Sequence, residues 1–146
     1  MAEFHIITPD KDMLNAFVSK NRYGTFIQTG HMLDIYRNMP NCNASSLAAV
    51  DDNDEILASL ISVKFIEKSK MGSLSSHITI RGGPLWVNSE RGKRAAIELI
   101  NKHSKITKKG FLYTRIYPNS NVDMPAVLCS YGYNYEDDLN FLIDLN

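Results

Sequence analysis

Two strand-like runs, Ser46 to Val50 and Ile56 to Phe65, flank the five polar residues Asp51-Asp52-Asn53-Asp54-Glu55. Turn formers between β-rich apolar segments predict a hairpin, and a hairpin in mid-chain commits the fold to a sheet. A third run, His77 to Val87, follows the polar connection Glu67 to Ser76, so three antiparallel strands in succession are expected. Carboxylates at Asp51, Asp52, Asp54 and Glu55 read as solubilisers of the hairpin tip.

Helical signals lie on either side of this meander. After the short run Phe4 to Thr8, Asp10 caps a predicted helix through Asn21, with Met13, Leu14, Phe17 and Val18 at helical spacing. A second helix starts near Thr29, carries Met32, Leu33, Ile35 and Tyr36, and ends before Pro40. Asn88-Ser89 opens the longest helix, Glu90 to Lys109, and Phe111 to Tyr117 is a strand closed by Pro118. Asp123 opens a helix from Met124 to Tyr131, Gly132 stops it, and Leu139 to Leu145 reads as a last strand. The order predicts an α/β fold, with a mixed, largely antiparallel sheet flanked by helices.

A chain of 146 residues that is 44% hydrophobic fits one domain, spanning 1–146, with a substantial core. Sixteen basic residues balance sixteen acidic ones, which argues against a duplex-DNA binder needing surplus positive charge. The two cysteines, Cys42 and Cys129, lack metal-ligand spacing, so no metal site is expected, and Cys129 reads as core. No apolar stretch approaches the about eighteen residues of a membrane span, and Met1 to His5 lacks the start of a secretory signal. The expectation is a reduced, cytoplasmic protein.

Two segments carry possible binding chemistry. The strand alternates Phe111, Tyr113, Arg115 and Tyr117 on one side. An arginine flanked by tyrosines can grip a phosphate or carboxylate in bidentate fashion. The other reading packs the tyrosines under a helix and pairs Arg115 with Asp137 or Asp138. The second segment is basic: from Arg91 to Lys109 seven Lys or Arg stand against the single acid Glu98. It reads as a solvated helix face or as a surface for an anionic partner, and no aromatics interleave to stack bases. His5, His31, His77 and His103 stand beside no nucleophile at suggestive spacing and read as structural or surface residues.

The basic turn Glu90-Arg91-Gly92-Lys93-Arg94, the strand to Tyr117-Pro118-Asn119 and the step Ser130-Tyr131-Gly132-Tyr133 resemble the second half of the GNAT acyltransferase fold. Over nearly the whole chain the sequence is similar to the first GNAT-like domain of FemAB-type aminoacyltransferases. The segments that carry this likeness are Tyr23-Gly24-Thr25-Phe26-Ile27-Gln28-Thr29, Ile56-Leu57-Ala58-Ser59-Leu60, Gly83-Pro84-Leu85 and Tyr113-Thr114-Arg115-Ile116-Tyr117-Pro118. That resemblance implies a chain that docks a phosphorylated peptide or sugar-peptide precursor, with no cofactor of its own. It also implies a second GNAT-like domain beyond Asn146, through which aminoacyl-tRNA would be met. Precursor binding would fall to Arg37 or its neighbour Tyr36 on the second helix; Tyr113, Arg115 and Tyr117, taken from the strand's own alternation, are the further candidate contacts. No catalytic base stands out.

The broader GNAT resemblance implies a different enzyme, a stand-alone N-acetyltransferase using acetyl-CoA. Its coenzyme pyrophosphate rests on a Q/R-x-x-G-x-G/A turn at a helix start, where glycines admit the phosphates to backbone amides. Here that role would fall to Arg91, Gly92, Lys93, Arg94 and Ala96, with Arg94 at the first glycine position. FemAB-type domains lack this cradle. A non-enzymatic GNAT-like interaction module is the third reading.

Overall fold

In a computed structural model, which describes residues 4–68, 75–107, 110–118 and 124–136, the hairpin is the centre of the molecule. β2 (Cys42–Val50) and β3 (Ile56–Phe65) pair antiparallel from Cys42 opposite Phe65 to Val50 opposite Ile56, with a bulge at Ala49/Val50. The turn is held by Asp51. Its carboxylate accepts from the amides of Asn53 at 2.9 Å and Glu55 at 3.0 Å. Those amides, with Arg91 beside them, hold the Asp51 carboxyl below the usual carboxylate range. Asp51 is buried, so this tip residue organises the turn, contrary to the expectation that all four tip carboxylates serve solubility.

β1 (His5–Ile7) adds to the free side of β2, and β4 (His77–Arg81) pairs antiparallel with the far end of β3. The expected third strand, His77 to Val87, is broken. Gly82 takes a positive φ of 72°, which L side chains rarely adopt, and Pro84 has no amide to give a ladder. The chain resumes as β5 (Leu85–Trp86), still beside β3, opposite Ser59 and Ala58. β6 (Tyr113–Tyr117) lies parallel to β4, its one strand partner among the described residues. The sheet therefore runs β1-β2-β3-β4-β6, mixed and mostly antiparallel.

Helices cover both faces. On one side α1 (Lys11–Lys20) and α2 (Gly30–Asn38), joined by a 3₁₀ turn (Phe26–Gln28), bury Leu14, Leu33 and Tyr36 against Ala44, Ile61 and Val63. On the other, α3 (Glu90–Ile106) and α4 (Met124–Ser130) pack Ala95, Ala96, Leu99, Ile100, Met124 and Leu128 on Leu60, Ile80 and Trp86. Central β3 is buried from Leu57 to Val63, as a strand sandwiched between two helical layers must be. Asp10, Thr29 and Ser89 cap α1, α2 and α3 through their side chains, so all three predicted starts hold. α3 ends at Ile106 with Thr107 as its cap, earlier than the sequence suggested, and Lys108 and Lys109 lie outside the described residues. So do the expected strand Leu139 to Leu145 and the helix-opening Asp123. Cys129 is exposed: α4 turns Met124 and Leu128 inward, and the next residue lies a hundred degrees round the helix. Among the described residues, no helix is long and apolar enough to cross a membrane.

Candidate functional site

The parallel strands β4 and β6 part at Gly82. Their last pair is Arg81 with Tyr117, and the Gly82 amide still donates to the Tyr117 carbonyl at 2.7 Å. From the other side the 3₁₀ turn closes on the same peptide. Gln28, buried to 4% exposure, donates its side-chain amide to the Gly82 carbonyl. Its Oε1 accepts from the Thr25 amide at 2.8 Å. A Cβ at Gly82 would come within 3.0 Å of the Gln28 side chain, so the glycine is needed for space as well as for its φ. The segments around Gln28 and Gly83-Pro84, both singled out in sequence, thus meet in space.

Next to this junction lies a small hollow lined by Ile27, Tyr36, Thr79 and Arg81, with Ile61, Val63 and Phe65 below. Tyr36 is buried at 7% exposure, and its ring belongs to the core as much as to the hollow. Arg37, one residue on, is exposed and faces Asp34 at 4.0 Å, a carboxylate already held by Lys11 at 2.8 Å. Lys11 is the main cause of the low Asp34 pKa. The structure therefore separates Tyr36 from Arg37: only the tyrosine reaches the hollow, because successive helical residues point in different directions.

Tyr113, Arg115 and Tyr117 form a single exposed row, at 44% for Tyr113 and 38% for Tyr117, so they are not packed beneath a helix. Arg115 Nη1 donates to the Tyr117 hydroxyl at 3.2 Å, and its guanidinium carbon lies 5.9 Å from both ring centroids. The Tyr117 hydroxyl raises the Arg115 pKa further above its ordinary value, so this group is always charged. Tyr113 also stacks on His77 at 5.3 Å, and His77 on Phe65 at 5.2 Å. Because Arg115 sits beside Thr79 and Tyr117 beside Arg81, the row and the hollow share one face of the sheet. Two guanidiniums and two phenols on that face can hold an oxyanion, with the hollow beside it for an apolar group. Asp137 and Asp138, the alternative partners for Arg115, lie outside the described residues.

At the start of α3 the side chains are otherwise engaged. The Ser89 hydroxyl accepts from the Gly92 amide at 3.0 Å. A Cβ on Gly92 would stand 2.3 Å from the Val87 carbonyl oxygen, so this glycine lets the helix close on the preceding strand. Arg91 reaches back to Asp51 at 3.9 Å, Arg94 is exposed, and Ala95 and Ala96 are core. Arg94, Glu98, Lys102 and Lys105 line the exposed side of α3, as expected for a solvated helix face.

No family model matches the chain, and no curated protein matches it. Solved structures do. One is a transcriptional regulator from Bacillus halodurans, with TM-score 0.69 at 14% identity, covering 96% of this chain and 99% of that one. An acetyltransferase of Trypanosoma brucei gives 0.68 at 14% identity, with 97% and 99% covered. An aminoglycoside acetyltransferase from an uncultured soil metagenomic sample gives 0.64 at 17%, with 98% and 99% covered. The chain has the GNAT acyltransferase fold.

In that fold the coenzyme pyrophosphate would belong at the start of α3, and the residues found there do not fit it. The Gly92 amide is taken by Ser89, the Gly92 face is filled by Val87, and Glu90 adds a carboxylate to the first turn. Arg94 occupies the position where a glycine would admit phosphate. Sequence reasoning missed Arg81 and Gly82, and met Gln28 only within a resembling segment, without the role it takes against Gly82. Gly82-Gly83-Pro84 in the middle of a strand pattern was the available signal, since such a break marks a bulge or a close backbone approach.

Proposed function

We propose that this chain binds the acceptor in an acyl-transfer reaction of the FemAB aminoacyltransferase type, in which an amine on a phosphorylated peptide or sugar-peptide precursor is aminoacylated from tRNA. The observation that carries the reading is the closed start of α3. A GNAT-fold chain whose phosphate turn is occupied by its own cap and strand needs a donor other than coenzyme A. The oxyanion-binding row Arg115 and Tyr117, with Tyr36 and Arg81 beside it, supplies a surface for the precursor's phosphate or carboxylates. Such a reaction depends on orienting two large substrates, and holding one of them is a self-sufficient task for a domain. The aminoacyl-tRNA would meet a second domain.

Calorimetry with coenzyme A and with a nucleotide-linked peptide precursor tests this. The expected result is no coenzyme A binding and saturable precursor binding that Arg115→Ala weakens by about tenfold. Micromolar coenzyme A binding, or precursor binding unchanged in Arg115→Ala, overturns it. A stand-alone N-acetyltransferase is the second reading. It is favoured by the solved acetyltransferases whose whole length this chain covers, and the coenzyme A titration decides between the two.

A further inference from the structure

The sheet face beneath α3 changes character along the hairpin. Near the turn it carries Ala49, Ala58 and Leu60, all core. Toward the other end the cross-strand pairs become Ser45 with Ser62 and Asn43 with Lys64. α3 stops at Ile106, before it covers these residues, and a cavity of about 210 Å³ opens over them. Ile78 and Phe111 supply its apolar wall; Phe111, expected on the side of Tyr113, precedes β6 and lines this face instead. This is the opposite face from the hollow of Tyr36 and Arg81.

The donors in the cavity point to one ligand chemistry. Ser62 is 5% exposed and its hydroxyl lies 3.0 Å from that of Ser45. One of the two donates to the other, which leaves one hydroxyl hydrogen for a ligand. Lys64 is half-buried, and its ammonium would be 3.1 Å from a Cβ on Gly110, so it lies against bare backbone. Among the described residues no carboxylate lies within ion-pair distance of Lys64, and none lines the cavity. The Thr107 hydroxyl is spent on the His103 carbonyl at 2.8 Å. The C-terminus of α3 brings about half a unit of negative charge, which opposes any anion and a doubly charged one about twice as strongly, so the ligand that Lys64 can hold there carries a single charge.

We propose that this cavity binds a small monocarboxylate with a short apolar tail. The carboxylate meets Lys64, the free serine hydroxyl and the Asn43 amide, and the tail lies on Ile78 and Phe111. The volume is below the about 300 Å³ at which drug-sized pockets begin, as suits a small metabolite.

Titration of the full chain with butyrate, followed by ¹H–¹⁵N chemical shifts, is the test. Saturable shifts at Ser45, Ser62, Lys64 and Thr107 are expected, with butanol and inorganic phosphate binding more weakly. Lys64→Met keeps the side-chain stem and removes the charge, and it should weaken butyrate by about tenfold or more. Ser62→Ala, a second variant with a smaller change, should weaken it less. Absence of saturable shifts in millimolar butyrate overturns the proposal. So does butanol binding as tightly as butyrate, or full affinity in Lys64→Met.

Discussion

At the scale of single residues, burial and backbone geometry assign roles that residue type alone leaves open. Gly82 is the sharpest case. With φ at 72° and Gln28 packed against it, Gly82→Ala should cost about 1–3 kcal/mol, measurable by urea denaturation, from a left-handed alanine and a crowded Cβ. His103 is another. It is 3% exposed, its Nε2 has no hydrogen-bond partner among the described residues, and burial pushes its pKa below the ordinary 6.5. Its folded pKa lies below its unfolded one, so its full stability is present above about pH 6.5 and declines as pH falls further, because the unfolded chain takes up a proton first. Thermal denaturation of the chain and of His103→Leu across mildly acid pH checks this. The variant should show the shallower loss, and equal slopes would assign the acid sensitivity elsewhere. The sequence marks Gly82 by its Gly-Gly-Pro setting and spaces His103 with Leu99 and Ile100 on one helix face, but the Gln28 side chain packed on Gly82 could not be read there.

At the scale of elements, local chemistry decided the helix starts and most of the ends: α1, α2 and α4 stop close to where the sequence put them, and only α3 stops short of Lys109. The Ser89 cap of α3 was readable because an N-cap needs only a side-chain oxygen next to a helical pattern. Ser89→Ala should cost about 1 kcal/mol by denaturant titration. Gly92→Ala should cost more than that despite alanine's higher helix propensity, because its methyl meets the Val87 carbonyl at 2.3 Å. A gain in stability for Gly92→Ala would show that the glycine serves something other than this close approach. The strand break at Gly82 was written in its Gly-Gly-Pro, yet the apolar run around it spoke for one continuous strand. What decides is which neighbour each half pairs with: β4 has β6, and β5 returns to β3. Pairing is a property of the sheet, and no local pattern encodes it.

For the whole molecule, one sheet is shared by two cores, with Leu14, Leu33 and Tyr36 on one face and Leu99, Ile100 and Leu128 on the other. Leu14→Ala and Leu99→Ala each empty a fully buried site and should each cost about 2–5 kcal/mol. Both should lower a single unfolding transition followed by fluorescence and circular dichroism alike. Two separated transitions would show the faces unfolding independently. The sequence by itself determined the order of helices and strands as far as α4, apart from the break at Gly82, the central hairpin and the alternation that puts Tyr113, Arg115 and Tyr117 in one row. Those features follow from periodicity and turn chemistry within short windows. Only the tertiary structure decided that Tyr36 joins that face while Arg37 turns to Asp34. It alone showed that Gln28 locks the Gly82 peptide, and that Gly92 lets α3 close on the Val87 carbonyl. The Gln28–Gly82 contact joins residues 54 positions apart, and even the short-range ones depend on which way a side chain faces once the layers have packed.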